Sequence, residues 1–414
     1  MARIIYAWEL GDDYGHIGSF MPLALALREQ GHEVIFVTKE LNNAETVVSK
    51  YKFQVLQAPI WNEKDKSLPN PPLNYTEIIL RFGFLNKTAL SALNRVWLGL
   101  FALIKPDLII ADHSPVALFS ARAVGLRRVV YGTGFCSPPH ISPMPNMRYW
   151  NKVSQERLEK VDAHALAVMN SLLLDMQSKA SPMQSVADLF KVNIDFLCTF
   201  PEMDHYPQRS HAQYWGPVFN TAHGREMHWQ VEATQKTRKR IFLYLKPEYA
   251  AYKKVLASLK TLTDAQGELS ADVLIFSPNV PQTVTQQFAG EHLRFATEPI
   301  QLASILPECD LAICHGGHGT LAACLMAGVP LLLLPMHLEQ FLASVRIKQL
   351  GAAKIVNLET KKAIDFDALI VQLLTESSYQ QAAQTFAKRY AQFNPSAQFA
   401  LMAEKINQLI HKTT

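Results

Sequence analysis

The chain has 414 residues, too many for one ordinary core and suited to two α/β domains of about 200 residues each. Apolar residues make up 49% and charged residues 18%, which predicts large buried cores. The formal net charge is only +4 and neither half concentrates basic residues, so nucleic acid is excluded as a partner.

In chain order, the first strand is predicted over residues 3–8. This apolar run is too short for a signal peptide and breaks into Glu9, Asp12 and Asp13. A helix is expected from Ser19 as N-cap, with Leu23 and Leu27 one turn apart and Gly31 as its stop. Strands follow over 33–38, 54–58, 108–111 and 128–131. Two Pro-rich segments, 59–75 and 135–149, have the length of ligand-facing lids or of disordered loops. The longest apolar stretch, 96–104, is about half a membrane span, so no transmembrane segment is expected; peripheral membrane contact is left open.

A boundary falls near 214–217, and the basic run 236–240 reads as a solvated linker. The strand–helix rhythm then restarts with strands over 241–245, 272–277, 293–296, 311–314 and 331–334. Asn394-Pro395 opens a last helix whose Phe399, Met402, Ile406, Leu409 and Ile410 share one face. The predicted domains are therefore 1–217, a linker at 218–239, 240–393, and a helix at 394–414 that packs back toward the first domain. Alternating strands and helices predict α/β domains with parallel sheets. Five cysteines (Cys136, Cys198, Cys309, Cys314 and Cys324) form no CxxC pair and point to a reducing, cytoplasmic setting. The histidines lack zinc spacing, no DxD triplet occurs, and Asp12-Asp13 reads as a solvated turn. No metal is expected.

The most informative stretch is Cys314-His315-Gly316-Gly317-His318-Gly319-Thr320, a buried strand, a glycine-rich turn and a helix start. Glycines admit close backbone approach, and a helix N-terminus attracts an anion. His315 and the Thr320 hydroxyl can both donate to phosphate oxygens. No Lys follows the glycines, so a Walker-type loop is disfavoured. Gln301 lies in a loop expected to reach the same crevice, and Glu339-Gln340 suits sugar hydroxyls. In the first half, a strand order 3-2-1-4-5 would bring His16 and Asp112 to one switch point. There they could act as a base and its supporting carboxylate, or each could simply cap a helix.

The segment 299–340 resembles the donor-binding signature of the UDP-glycosyltransferase superfamily, the family 1 glycosyltransferases, in its bacterial type. It has Pro299 and Gln301, then His315-x-Gly317-x-Gly319-Thr320, then Glu339-Gln340. Gly15-His16 and Gly31-His32-Glu33-Val34 match the family's N-terminal pattern. The resemblance implies a GT-B fold, two facing Rossmann-like domains with parallel sheets and an interdomain cleft that closes about a hinge near 216–240. It implies an inverting, metal-independent transfer with no cofactor beyond the nucleotide diphosphate sugar co-substrate. His16 would be the base, oriented by Asp112. Gln301 would meet the nucleotide base; His315, Gly316, Gly317, Gly319, Thr320 and Lys246 the diphosphate; Glu339 and Gln340 the sugar.

Two positions depart from the family pattern: Ser19 stands where a proline is common, and Ala323 where the plant version has a ribose-binding glutamate. The second leaves UDP and dTDP donors both open. The apolar content of 59–103 and 135–150 points to a small hydrophobic acceptor such as a lipid, sterol or aglycone. Two other readings stay open, a nucleotide-sugar 2-epimerase and a non-catalytic nucleotide-sugar-binding protein.

Overall fold

Five of the six residues of β1 (Arg3–Trp8) are buried, because a parallel strand at the centre of a sheet is covered on both faces. The computed structural model describes residues 1–11, 15–63, 65–230, 238–356 and 363–412. The expected turn at Asp12-Asp13 lies outside the described residues. Around β1 the first unit assembles β2 (Glu33–Thr38), β3 (Gln54–Gln57), β4 (Leu108–Asp112), β5 (Arg127–Gly132) and β6 (Ile194–Leu197). They form one parallel sheet in the order β3-β2-β1-β4-β5-β6. Its helices are α1 (Gly15–Glu29), α2 (Leu41–Val48), α3 (Tyr75–Ile79), α4 (Lys87–Ile104), α5 (Pro115–Ala123) and α6 (Gln155–Asp175).

The first helix starts at Gly15 rather than at Ser19. Ser19 is already inside it, and its hydroxyl donates to the His16 carbonyl at 2.8 Å. The two Pro-rich segments are joined to each other rather than loose. Asn74 caps α3 through its side-chain oxygen and donates to the Met144 carbonyl at 3.0 Å. The Met147 amide donates to the Leu73 carbonyl at 2.8 Å. Asp162 of α6 accepts from the Met144 amide and the Thr76 hydroxyl. Side chains of this region, among them Tyr75, Phe84, Trp97 and Met144, belong to the same core as Ile5 and Ile109 of the sheet.

The second unit repeats the plan with β7 (Lys239–Tyr244), β8 (Ala271–Phe276), β9 (Leu293–Ala296), β10 (Leu311–Cys314), β11 (Leu331–Leu333) and β12 (Ala353–Ile355). The parallel order is β12-β11-β10-β7-β8-β9, which is the first unit's order in its own numbering. Helices α7 (Tyr252–Asp264), α8 (Gln282–Phe288), α9 (Leu302–Ile305), α10 (His318–Met326), α11 (Leu338–Gln349), α12 (Phe366–Thr375) and α13 (Ser377–Arg389) complete it around a separate core centred on Ile241, Leu256, Ile313 and Ile370.

The chain divides into Met1–Phe200, Tyr206–Gly216 and Asn394–Thr414 on one side, and Pro201–His205 and Pro217–Phe393 on the other. The last helix, α14 (Pro395–His411), thus belongs with the first unit, where it packs on α1. In its described parts, segment 218–239 is no free tether. Arg225 bridges to Ile300, Trp229 Nε1 donates to the Ile305 carbonyl at 2.9 Å, and Lys239-Arg240 already belongs to β7. The basic run is therefore half-buried strand from 239 on; its residues 236–237 lie outside the described residues. All five cysteines are buried and none forms a disulfide.

Candidate functional site

Parallel strands that reverse order leave a crevice at their carboxyl ends, and each unit has chemistry at that point. In the first unit Trp8 and Asp112 stand in register on β1 and β4. His16, in the first turn of α1, sets its Nδ1 2.9 Å from Asp112 Oδ1. Tyr6 donates its hydroxyl to Asp112 Oδ2 at 2.9 Å. Both carboxylate oxygens are thus engaged, and the side chain is almost wholly buried. Since a carboxylate only accepts, the His16 proton lies on Nδ1 and its Nε2 carries the basic lone pair. Trp8 stacks on the imidazole, with ring centroids 5.3 Å apart. Gly11 has φ +87°, and a Cβ there would lie 2.4 Å from His16 Nε2; only glycine permits this approach.

The capping role left open for Asp112 goes to another group. α5 begins after Ser114, whose side chain makes no cap bond. The amides of Val116 and Ala117 donate instead to Glu9, at 2.8 and 3.1 Å, and Trp97 Nε1 donates to the same carboxylate at 2.5 Å. Glu9 caps α5 from the end of β1 and so fixes the loop that follows Asp112. Burial pushes its carboxyl up to about 7, against the pull of those donors. His113, on the same loop at φ +45°, is held neutral by burial and the nearby His16, with its pKa down at about 3. Cys136 brings a thiol to the pair: one atom each of His16, Asp112 and Cys136 lies within 4.8 Å of the others. Glu9, Tyr6 and Cys136 do not stand out as site residues in the sequence; the signal for Glu9 is an acid directly after an apolar strand.

In the second unit the crevice lies between β7 and β10. His315 follows β10, and its ring ties three strand ends together. Nδ1 donates to the Leu334 carbonyl at 2.8 Å beyond β11, and Nε2 accepts the Lys246 amide at 2.7 Å beyond β7. With both nitrogens used, His315 here holds backbone in place. Gly316 has φ +86°, and a Cβ there would meet Ser344 Oγ at 2.5 Å and the Gln340 carbonyl at 3.3 Å. That close packing brings α11, with Glu339 in its first turn, against the glycine turn. Gln340 Oε1 accepts from the Met336 amide at 2.8 Å.

Gly317 is the N-cap of α10, which starts at His318. The first intrahelical bond runs from Leu321 to Gly317, so the amides of 318–320 form the positive helix end. Burial holds His318 neutral, at about 3. Gln301, N-cap of α9, is fixed through its amide to the Arg225 carbonyl at 2.8 Å. The preceding strand β9 is separated from β10 by two strands. Segment 218–225 spans the distance: the Val218 carbonyl lies against Gly319, and Gly224 against Pro299. Ala323 is buried and offers no polar group to a ribose.

A family model described as "Erythromycin biosynthesis protein CIII-like, C-terminal domain" matches residues 260–402. An uncharacterized glycosyltransferase of Mycobacterium leprae is 30% identical over 122 residues, 29% of this chain and 28% of that protein. A PGL/p-HBAD biosynthesis rhamnosyltransferase of Mycobacterium bovis is 23% identical over 306 residues, 69% of this chain and 64% of that protein. The matches thus span less than two thirds of either relative. Among solved structures, the calicheamicin glycosyltransferase CalG4 superposes with a TM-score of 0.70 at 14% identity, covering 100% of this chain and 99% of its own. The glycosyltransferase VinC in complex with dTDP gives 0.63 at 17% identity, with 100% of both chains covered. The spinosyn rhamnosyltransferase SpnG complexed with spinosyn aglycone gives 0.64 at 15%, covering 96% and 98%.

Proposed function

Since the chain belongs to the family 1 glycosyltransferases of bacterial type, with the GT-B fold, we propose that it moves a sugar from a dTDP- or UDP-linked donor to a hydroxyl of a small hydrophobic acceptor. The observation that carries this reading is the His16–Asp112 pair, 2.9 Å apart on a buried carboxylate whose other oxygen is held by Tyr6. A buried, doubly anchored carboxylate fixes the tautomer and orientation of an imidazole and stabilises the imidazolium.

In the proposed reaction His16 Nε2 takes the acceptor proton while the acceptor oxygen attacks the anomeric carbon from the face opposite the leaving group. The carbon–oxygen bond to the diphosphate breaks, its electron pair stays on the phosphate oxygen, and the configuration inverts. The amides of 318–320 and the Thr320 hydroxyl stabilise the charge that develops there. Lys246 adds a cation, Glu339 and Gln340 hold the sugar, and Gln301 meets the nucleotide base. His315 acts by fixing the Lys246 and Leu334 backbone around that site. Of the two nucleotides dTDP is the first to test, because VinC was solved with it. The aglycone bound to SpnG and the apolar segments 59–103 and 135–150 support an aglycone or lipid acceptor. No metal is needed in this scheme, since helix amides and a lysine carry the leaving-group charge; turnover unchanged by EDTA is the expected result. A cytoplasmic location accords with five cysteines outside any disulfide. Among the described residues no helix is long and apolar enough to cross a membrane.

The test is a thermal shift with dTDP, UDP and their sugars on the wild type, His315→Ala and His16→Ala. At a hundredfold excess over Kd, a nucleotide stabilises the fold by about 2.7 kcal/mol. That shift should shrink in His315→Ala and persist in His16→Ala, whose turnover falls about 100- to 10,000-fold. Silence from every nucleoside diphosphate with folded protein would reject the reading. Product formed from donor alone would move it to an epimerase, and unchanged function in His16→Ala to a binding protein.

A further inference from the structure

Opposite the carboxyl ends of the first sheet, where β5 begins and α14 ends, lies a cavity of about 430 Å³ lined by Arg122, Arg127, Arg128, Asn193 and Lys412 among others. Four of those side chains are cations. No carboxylate pairs with any of them among the described residues. Arg127 Nη2 donates to the Lys412 carbonyl at 2.9 Å and Arg122 Nη2 to the Ser181 carbonyl at 2.8 Å. Those bonds leave Arg122 Nε and Arg128 Nη1, both buried, without an acceptor among the described residues. The Arg128 backbone is pinned by Asn193, whose side-chain oxygen accepts its amide at 2.9 Å.

A buried guanidinium nitrogen without an acceptor is costly, and buried polar atoms are nearly always satisfied. Burial and the like charge of Arg122 pull Arg128 down to about 10, so it still carries its charge at neutral pH, against a repulsive neighbour. The missing element is a compact anion with several acceptor oxygens, the partner that guanidinium groups match best. We propose that this cavity binds a phosphate monoester group, with Arg128 and Arg122 as its principal donors and Lys412 and Arg127 at its rim. The site is distinct from the His16–Asp112 pair, since β5 and β4 are parallel and the cavity opens at their amino ends. The same phosphate chemistry is offered by a soluble ester and by the headgroup of phosphatidic acid.

The experiment titrates the full chain with inorganic phosphate at constant ionic strength, chloride being the balancing ion, and follows Tm. The wild type should show a saturable rise of about 5–10 °C at a hundredfold excess over Kd. Arg128→Gln should lose that rise while melting, without phosphate, at or above the wild-type temperature, because it removes a half-buried cation that faces like charge. If that variant does not fold, Arg122→Gln is read in the same way. A flat wild-type trace, or the same phosphate response in wild type and variants, overturns the proposal. Co-sedimentation with vesicles of phosphatidylcholine, with or without phosphatidic acid, separates the sources. Acid-dependent retention lost in Arg128→Gln assigns the lipid headgroup; a phosphate shift without retention assigns a soluble ester.

Discussion

Glu9 couples a cap, a strand end and a loop. Its carboxylate receives two α5 amides and the Trp97 indole, so the loop between Asp112 and α5 is anchored by a residue that touches no expected substrate. The folded-state pKa, raised to about 7 from 4.5, sets the sign of a pH effect. The folded state holds this proton more tightly than the unfolded chain, so the contribution to stability is fully present below about 4.5 and is lost as pH rises through about 7. The wild type should therefore lose, between pH 4.5 and 7, an order of 3 kcal/mol that Glu9→Gln does not lose. Thermal melts of both proteins across that range check it; parallel curves would refute the assignment. At this scale the sequence was partly legible. His16 and Asp112 could be placed from strand order, whereas Tyr6 and Glu9 could not, because Tyr6 acts 106 residues along the chain and Glu9 107 and 108, nor could Cys136, which only the fold brings to the pair. The partnership of His315 with the Lys246 amide was hidden for the same reason: it joins residues 69 apart.

Among elements, the glycine turn before α10 is the part whose geometry tolerates least. Gly316 needs positive φ, and its missing Cβ makes room for Ser344 of α11. Gly316→Ala would combine backbone strain with a clash, costing about 1–3 kcal/mol. It should lower Tm and weaken nucleotide binding together; a variant that loses stability but keeps full dTDP affinity would detach the turn from the donor. The turn was readable because three glycines in five residues after a buried strand have few structural explanations. β6 and β12 were not read. Both are short edge strands interrupted by a charged residue, Asp195 in one and Lys354 in the other, so neither shows the apolar run that marks a central strand. The start of α1 was misplaced because Ser19 resembles an N-cap, while its hydroxyl serves the helix interior.

For the whole molecule, two sheets with the same strand order place two switch points in one chain. The restart of strand–helix alternation after about residue 240 made that duplication legible. The fate of 218–230 was not legible, since its polar composition reads as linker while its backbone bonds to 299–305. Each unit also contains its own buried thiols: Cys136 and Cys198 in the first, Cys309, Cys314 and Cys324 in the second. Burial lifts Cys309 and Cys314 to about 12 and raises Cys198 and Cys324 as well. A protonated, enclosed thiol does not alkylate.

The native chain should therefore ignore iodoacetamide, and every adduct dates an opening event. Mass spectrometry under increasing urea would then count two adducts for one unit and three for the other. A nucleotide seated on the glycine turn should delay the three and not the two. The cysteines thus turn the molecule into its own clock, with one hand for each domain.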